Sequence, residues 1–202
     1  MTTPLYLAFV AASLALIVTP GPNVALIVAN TLARGWRVGL ATVAGTSAAM
    51  VLQLSLTVAG LAAAVAAFAA VFEALRAAGV AYLLYLAWRA LRASPAPATA
   101  APDRRPLSRI VAGGFLVSLT NPKTLLFYGA FLPQFVATGA PATPQLLLLA
   151  ATFLGLAVVC DSLWVVAARH VAGRFGGGRL GNRLAAAIFA LAGIGLALIR
   201  RP

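Results

Sequence analysis

The sequence predicts an all-α integral membrane protein: six transmembrane helices arranged as two inverted three-helix repeats, with helices 1 and 4 broken. Three observations predict it. Of 202 residues, 62% are hydrophobic and only 9% charged, with mean hydropathy +0.99. Soluble domains carry roughly 45–50% apolar and about 25% charged residues, so this composition suits a bilayer. Several uncharged runs reach the ~20 residues that cross ~30 Å of hydrocarbon as helix, and no charge lies between Arg37 and Glu73. Finally, helix-breaking residues interrupt two of these runs, in TPGPN at 19–23 and LTNPKT at 119–124.

The spans are expected at 5–32, 39–64, 71–91, 110–132, 144–168 and 183–200. The chain starts MTTPLYLAFV, without the basic n-region of a signal peptide, so the first apolar run reads as a retained span. In the third, Glu73 and Arg76 share one helix face and Arg76 can snorkel to the interface. The stretch ASPAPATAAP at 93–102, followed by Asp103, Arg104 and Arg105, reads as a linker. It divides a single transporter domain into repeat one (1–92), a connecting segment (93–109) and repeat two (110–202).

The net charge of +12 does not indicate a nucleic-acid groove. The arginines cluster between apolar runs, where they set topology. After spans 1, 3 and 5 come Arg34 and Arg37, then Arg89, Arg92, Arg104, Arg105 and Arg109, then Arg169, Arg174, Arg179 and Arg183. The opposite side holds only Arg76, Arg200 and Arg201. The positive-inside rule then places both termini outside the cytoplasm. Three spans per half invert the second half relative to the first, as in many secondary transporters. Cys160 is the single cysteine, which excludes an intramolecular disulfide.

Proline removes an amide hydrogen and frees a carbonyl, which costs several kcal/mol in lipid unless satisfied. Such breaks survive where they line a cavity, and breaks at corresponding places in two inverted halves point to a substrate site. Proline also suits the first turn of a helix, so new half-helices should start near Pro22 and Pro122. Their positive ends would face the midplane from opposite sides and favour an anion.

Two charges fall deep in the predicted spans. Lys123 is the only lysine; at that depth a charge costs at least ~2.5–3.5 kcal/mol, so it should face protein or water. Asp161, in VVCDSLW, lies eight residues before Arg169. It can bind an ammonium group, carry a proton or pair with Lys123. Asn23 and Asn30, seven apart, share a face and either line the pathway or bond across helices. Ala41, Gly45 and Ala49 form a small-residue face suited to close helix packing. Tyr82, Tyr85 and Trp88 read as core and interfacial aromatics, His170 as a surface histidine, and RFGGGRLG at 174–181 as a loop rather than a phosphate cradle.

These residues resemble the LysE/RhtB family of amino-acid exporters. The likeness is carried by PGPN at 20–23, ARGWRVGL at 33–40, GVAYLLYLAWRALRA at 79–93 and SLTNPKTLLFYGAFLPQF at 118–135, and by Asp161 with Leu163 and Trp164. It covers essentially the whole chain. The resemblance implies a bacterial inner-membrane carrier, embedded in lipid, that expels amino acids or close derivatives in exchange for protons, with a homodimer as one assembly it allows. By position it nominates Pro20, Gly21, Pro22, Asn23, Asn121, Pro122, Lys123 and Asp161 as the substrate-binding set. It implies no cofactor and no resident metal. "Amino acid" and "outward" come from the resemblance; the residues alone indicate a transporter-like membrane protein with an anion-friendly midplane, for which alternating access is the expected mechanism.

The alternative is a carrier of another small solute or a metal cation. A metal exporter would want several carboxylate, His or Cys ligands at the midplane, whereas here one Asp stands with a Lys. An enzyme would need a nucleophile–base or metal constellation, which His170 and Cys160 do not make. A scaffold would not need two broken helices in register.

Overall fold

The computed structural model describes residues 1–60, 106–137 and 139–175, with single helical positions at 81, 84, 85, 87, 88, 91, 92, 183, 187, 190, 191 and 194. Among the described residues every regular element is helical. The expected third and sixth spans, the linker, the Glu73–Arg76 pair, Tyr82 and the glycine-rich loop lie largely or wholly outside them.

Helix α1 (Thr3–Val18) carries proline in its first turn and ends at Thr19, whose amide still bonds to Ala15. After Pro20 and Gly21, α2 (Pro22–Arg34) starts with proline at its first turn, bent 49° from α1. Helix α3 (Trp36–Val58) follows a single-residue joint at Gly35, whose φ of 91° is a left-handed value that side chains disfavour. Helix α4 (Leu107–Leu119) ends at Thr120, and α5 (Pro122–Leu126) again opens on proline. It continues as a π turn (Phe127–Phe131) and a 3-10 turn (Leu132–Phe135), and this segment bends 53° from α4. Helix α6 (Ala142–Phe175) is the longest.

Spans 1 and 4 are therefore broken where expected, with new helices starting at Pro22 and Pro122. Helices α3 and α6 are long and apolar enough to cross a membrane, and the two bent pairs qualify if each counts as one span. Two ends depart most from expectation, the others by two or three residues. Helix α3 stops at Val58 rather than 64, because the chain turns at Ala59 and Gly60, the latter with φ 79°. Helix α6 covers 142–175 rather than 144–168, since its polar ends remain helical beyond the apolar stretch.

The packing follows the small residues. Gly45 and Gly114 bring α3 and α4 into backbone contact: a Cβ on Gly114 would sit 2.7 Å from the Thr42 carbonyl oxygen and 3.3 Å from the Gly45 Cα. Gly39 leaves the same kind of room for Thr31 on α2 and Val165 on α6. The small-residue face of span 2 is thus a packing surface. An aromatic core of Phe9, Phe127, Tyr128, Phe135 and Phe153 joins α1, the irregular turns and α6. Its rings meet edge-on at Phe9–Phe135 (5.3 Å) and Tyr128–Phe153 (5.1 Å), a favoured quadrupole arrangement.

Candidate functional site

Each break leaves carbonyls at the end of one helix and amides at the start of the next without helical partners. At both, the terminal threonine serves its own helix: Thr19 Oγ1 donates to Ala15 O (2.7 Å), and Thr120 Oγ1 donates to Leu116 O (3.0 Å) and Val117 O (3.1 Å). Three further carbonyls at the breaks are reached from elsewhere. Lys123 Nζ, at the second break, donates to the Thr19 carbonyl at the first. Gln53 Nε2, on α3, donates to the carbonyls of Ser118 and Leu119, each at 3.2 Å.

The breaks are also tied directly. Asn121 Nδ2 donates to Asn23 Oδ1 at 3.0 Å, Asn23 Nδ2 donates to Ser118 Oγ at 3.1 Å, and Asn121 Oδ1 accepts the Lys123 amide at 3.1 Å. That last bond makes Asn121 the N-cap of α5. All three side chains of this network are buried. Asn30 bonds across to Thr42 Oγ1 at 2.9 Å, so both asparagines of the α2 face join helices.

Between the breaks lies a small cleft of about 340 Å³, counting its open mouth. Five of the eight nominated residues line it: Gly21, Asn23, Asn121, Lys123 and Asp161. Pro20, Pro22 and Pro122 do not; they end one helix and begin the next. Asp161 comes from α6, on the face that also presents Phe153 and Ala157, four and eight residues earlier, as helical spacing requires. It is 3% exposed, and its Oδ2 has no hydrogen-bond partner. An unpartnered buried carboxylate oxygen is costly, so it marks a place where a donor is missing. Lys123, half-buried, stands in the same cleft. The apolar part of the lining comes from Leu16, Ile17, Val24 and Met50, with Phe153 and Ala157.

Gln53 was not singled out in the sequence. The signal was present: it is the only amide side chain in the charge-free run between Arg37 and Glu73. Tyr128 was likewise missed; it is buried, and its hydroxyl, like Gln53 Oε1, lacks a partner. His170 is exposed and bonds its own helix through Val166 O at 2.9 Å, as a surface histidine would.

Comparisons with known proteins follow the same pattern. The leucine efflux protein of Salmonella choleraesuis is 29% identical over 157 residues, covering 77% of this chain and 74% of that protein. The homoserine/homoserine lactone efflux protein of Salmonella typhimurium is 28% identical over 175 residues, covering 85% and 84% respectively. No solved structure gives a significant match. The family model for the LysE type translocator matches residues 14–200, nearly the full length and both breaks. With its broken helices and the cleft between them, this chain belongs to the LysE type translocator family, and is a transporter rather than an enzyme.

Proposed function

We propose that the chain exports amino acids with uncharged side chains, or close derivatives, across the cytoplasmic membrane by alternating access. The observation that carries this reading is one cleft with a lysine ammonium, a buried carboxylate oxygen lacking a donor, and an apolar wall. A zwitterion matches the two charges, and its side chain meets Leu16, Ile17, Val24 and Met50. Among the described residues Asp161 is the only acid, which leaves no second carboxylate for a dibasic side chain. The named activities of the relatives, leucine and homoserine efflux, fit this substrate class.

The Lys123 ammonium caps the end of α1. A substrate carboxylate competes with the Thr19 carbonyl for it, helped by the free first-turn amides of α2. The substrate ammonium supplies the donor that Asp161 Oδ2 lacks. Occupancy thus loosens one of the contacts that tie the two breaks, and the two inverted halves rock to open the site outward. On the proton-rich side Asp161 takes up a proton, becomes neutral and releases the ammonium; the proton travels back in as substrate leaves. Both termini lie outside the cytoplasm, as the arginine distribution suggests.

The test is efflux from cells preloaded with a panel of dipeptides, comparing the chain with an empty vector and with Asp161→Asn. Faster release of neutral amino acids by the wild type alone, steepened by an inward proton gradient, is expected. Asp161→Asn should lose the response to the gradient. No release above vector across the panel, with protein present in the membrane, would remove the reading.

A further inference from the structure

Two cations from different helices converge on one indole next to the Gly35 joint, away from the cleft. The Arg37 guanidinium lies 5.5 Å from the Trp36 ring centroid, and that of Arg169, on α6, lies 5.6 Å from it. Trp36 is 40% exposed, and both arginines are exposed. The base of this group is held firmly. One turn inward, Gly39 is in close contact with Thr31 and Val165, so α2, α3 and α6 cannot slide apart without losing packing.

The charge of the group is not answered within the described chain. Fifteen basic residues face three acids in the whole sequence, and Asp161 is the only acid among the described residues. It lies two turns deeper along α6, about 12 Å at ~1.5 Å per residue. Stacking on an indole orients a guanidinium without neutralising it and leaves its outer N–H groups free to bind an anion. A tryptophan at the end of a membrane helix sits at headgroup level, where phosphodiesters are the abundant anions. Basic pockets between transmembrane helices hold anionic headgroups by this chemistry.

We propose that Trp36, Arg37 and Arg169 form a binding site for the phosphate headgroup of an anionic phospholipid. Free phosphate shares the ligand chemistry; the lipid is favoured because the indole places the two guanidiniums at the membrane surface. The site is separate from the transport cleft and does not depend on what the cleft carries.

The experiment uses the full chain in detergent with Trp88 and Trp164 replaced by Phe, so that Trp36 alone reports. Phosphatidylglycerol, phosphatidylcholine with the same acyl chains, and inorganic phosphate are titrated separately. The expected result is a saturable change in Trp36 emission with phosphatidylglycerol only, its midpoint at least tenfold weaker in Arg37→Gln/Arg169→Gln. It should also weaken between 50 and 500 mM salt, as a screened contact must. The single variants, expected to shift the midpoint severalfold each, serve if the double variant does not fold. Equal responses to both lipids, an unshifted midpoint in the variants, or the same response to inorganic phosphate would overturn the proposal.

Discussion

The two helix breaks solve the same problem with different chemistry. At the first, Gly21 is the N-cap of α2 and offers no side chain, so the amides that follow Pro22 receive no side-chain cap. At the second, Asn121 caps α5 with its own carbonyl oxygen. The ends of the preceding helices differ too. Helix α4 is capped by the neutral amide of Gln53, while α1 is capped by the ammonium of Lys123. The second break is therefore satisfied by neutral amides, its own Asn121 and Gln53 of α3, whereas the first leans on a charge borrowed from the second. This teaches where each can change. The second break should act as a fixed frame, and the first as the place where a ligand can substitute for a protein contact.

Asn121→Ala should have the largest effect, because it breaks the frame. It removes a helix cap, worth about 0.5–2 kcal/mol, and strands the buried Asn23 Oδ1, a further cost of about 1–3 kcal/mol. Thermal unfolding in detergent should show a large loss of stability, and Asn23→Ala a smaller one, since Asn23 caps no helix. Lys123→Ala should follow, but in function rather than stability. Losing a charged hydrogen bond to a carboxylate is worth about 1.5–3 kcal/mol, or roughly 10–100-fold in KM for efflux. Equal stability losses for Lys123→Ala and Asn121→Ala would break the comparison.

Gln53→Leu should cost about 1–2 kcal/mol, because two carbonyls lose a donor while the orphan Oε1 disappears with it. Gln53→Glu should be worse than Leu, since it sets anionic oxygen against those carbonyls; the denaturation midpoints of the pair check the sign. Gly21→Ala should do least. Its φ of −146° is open to any residue, and a Cβ there would meet Lys123 at 3.4 and 3.6 Å, ordinary contact distances. Stability and KM within about threefold of wild type are expected, in line with small surface-like changes.

Much of this arrangement was legible from local chemistry. Proline at the first turn of a helix is a short-range rule, so Pro22 and Pro122 marked the restarts directly. Lys123 and Asp161 stood out because charge is rare in apolar runs. What failed was longer in range or weaker in signal. The end of α3 at Val58 was hidden because the sequence stays apolar past the turn, as LAAAVAAFAA at 61–70. Gln53 was missed because its partners, Ser118 and Leu119, are more than sixty residues away and offer only backbone carbonyls, which leave no mark on sequence. The mutual bonding of Asn23 and Asn121 was not legible for the same reason: Asn23 read as lining the pathway or bonding across helices, and its partner, 98 residues away, left no mark on the sequence.

The most direct test of the central claim pairs a variant with a ligand change. Equilibrium binding to the purified protein would be measured for the best-transported amino acid and for its amine, which lacks the carboxylate, with wild type and Lys123→Ala. If Lys123 leaves Thr19 for the carboxylate, the variant should bind the amino acid at least tenfold more weakly and the amine equally well. Equal loss for both ligands, or none for either, would contradict a cleft in which the second break supplies the cation for a substrate held at the first.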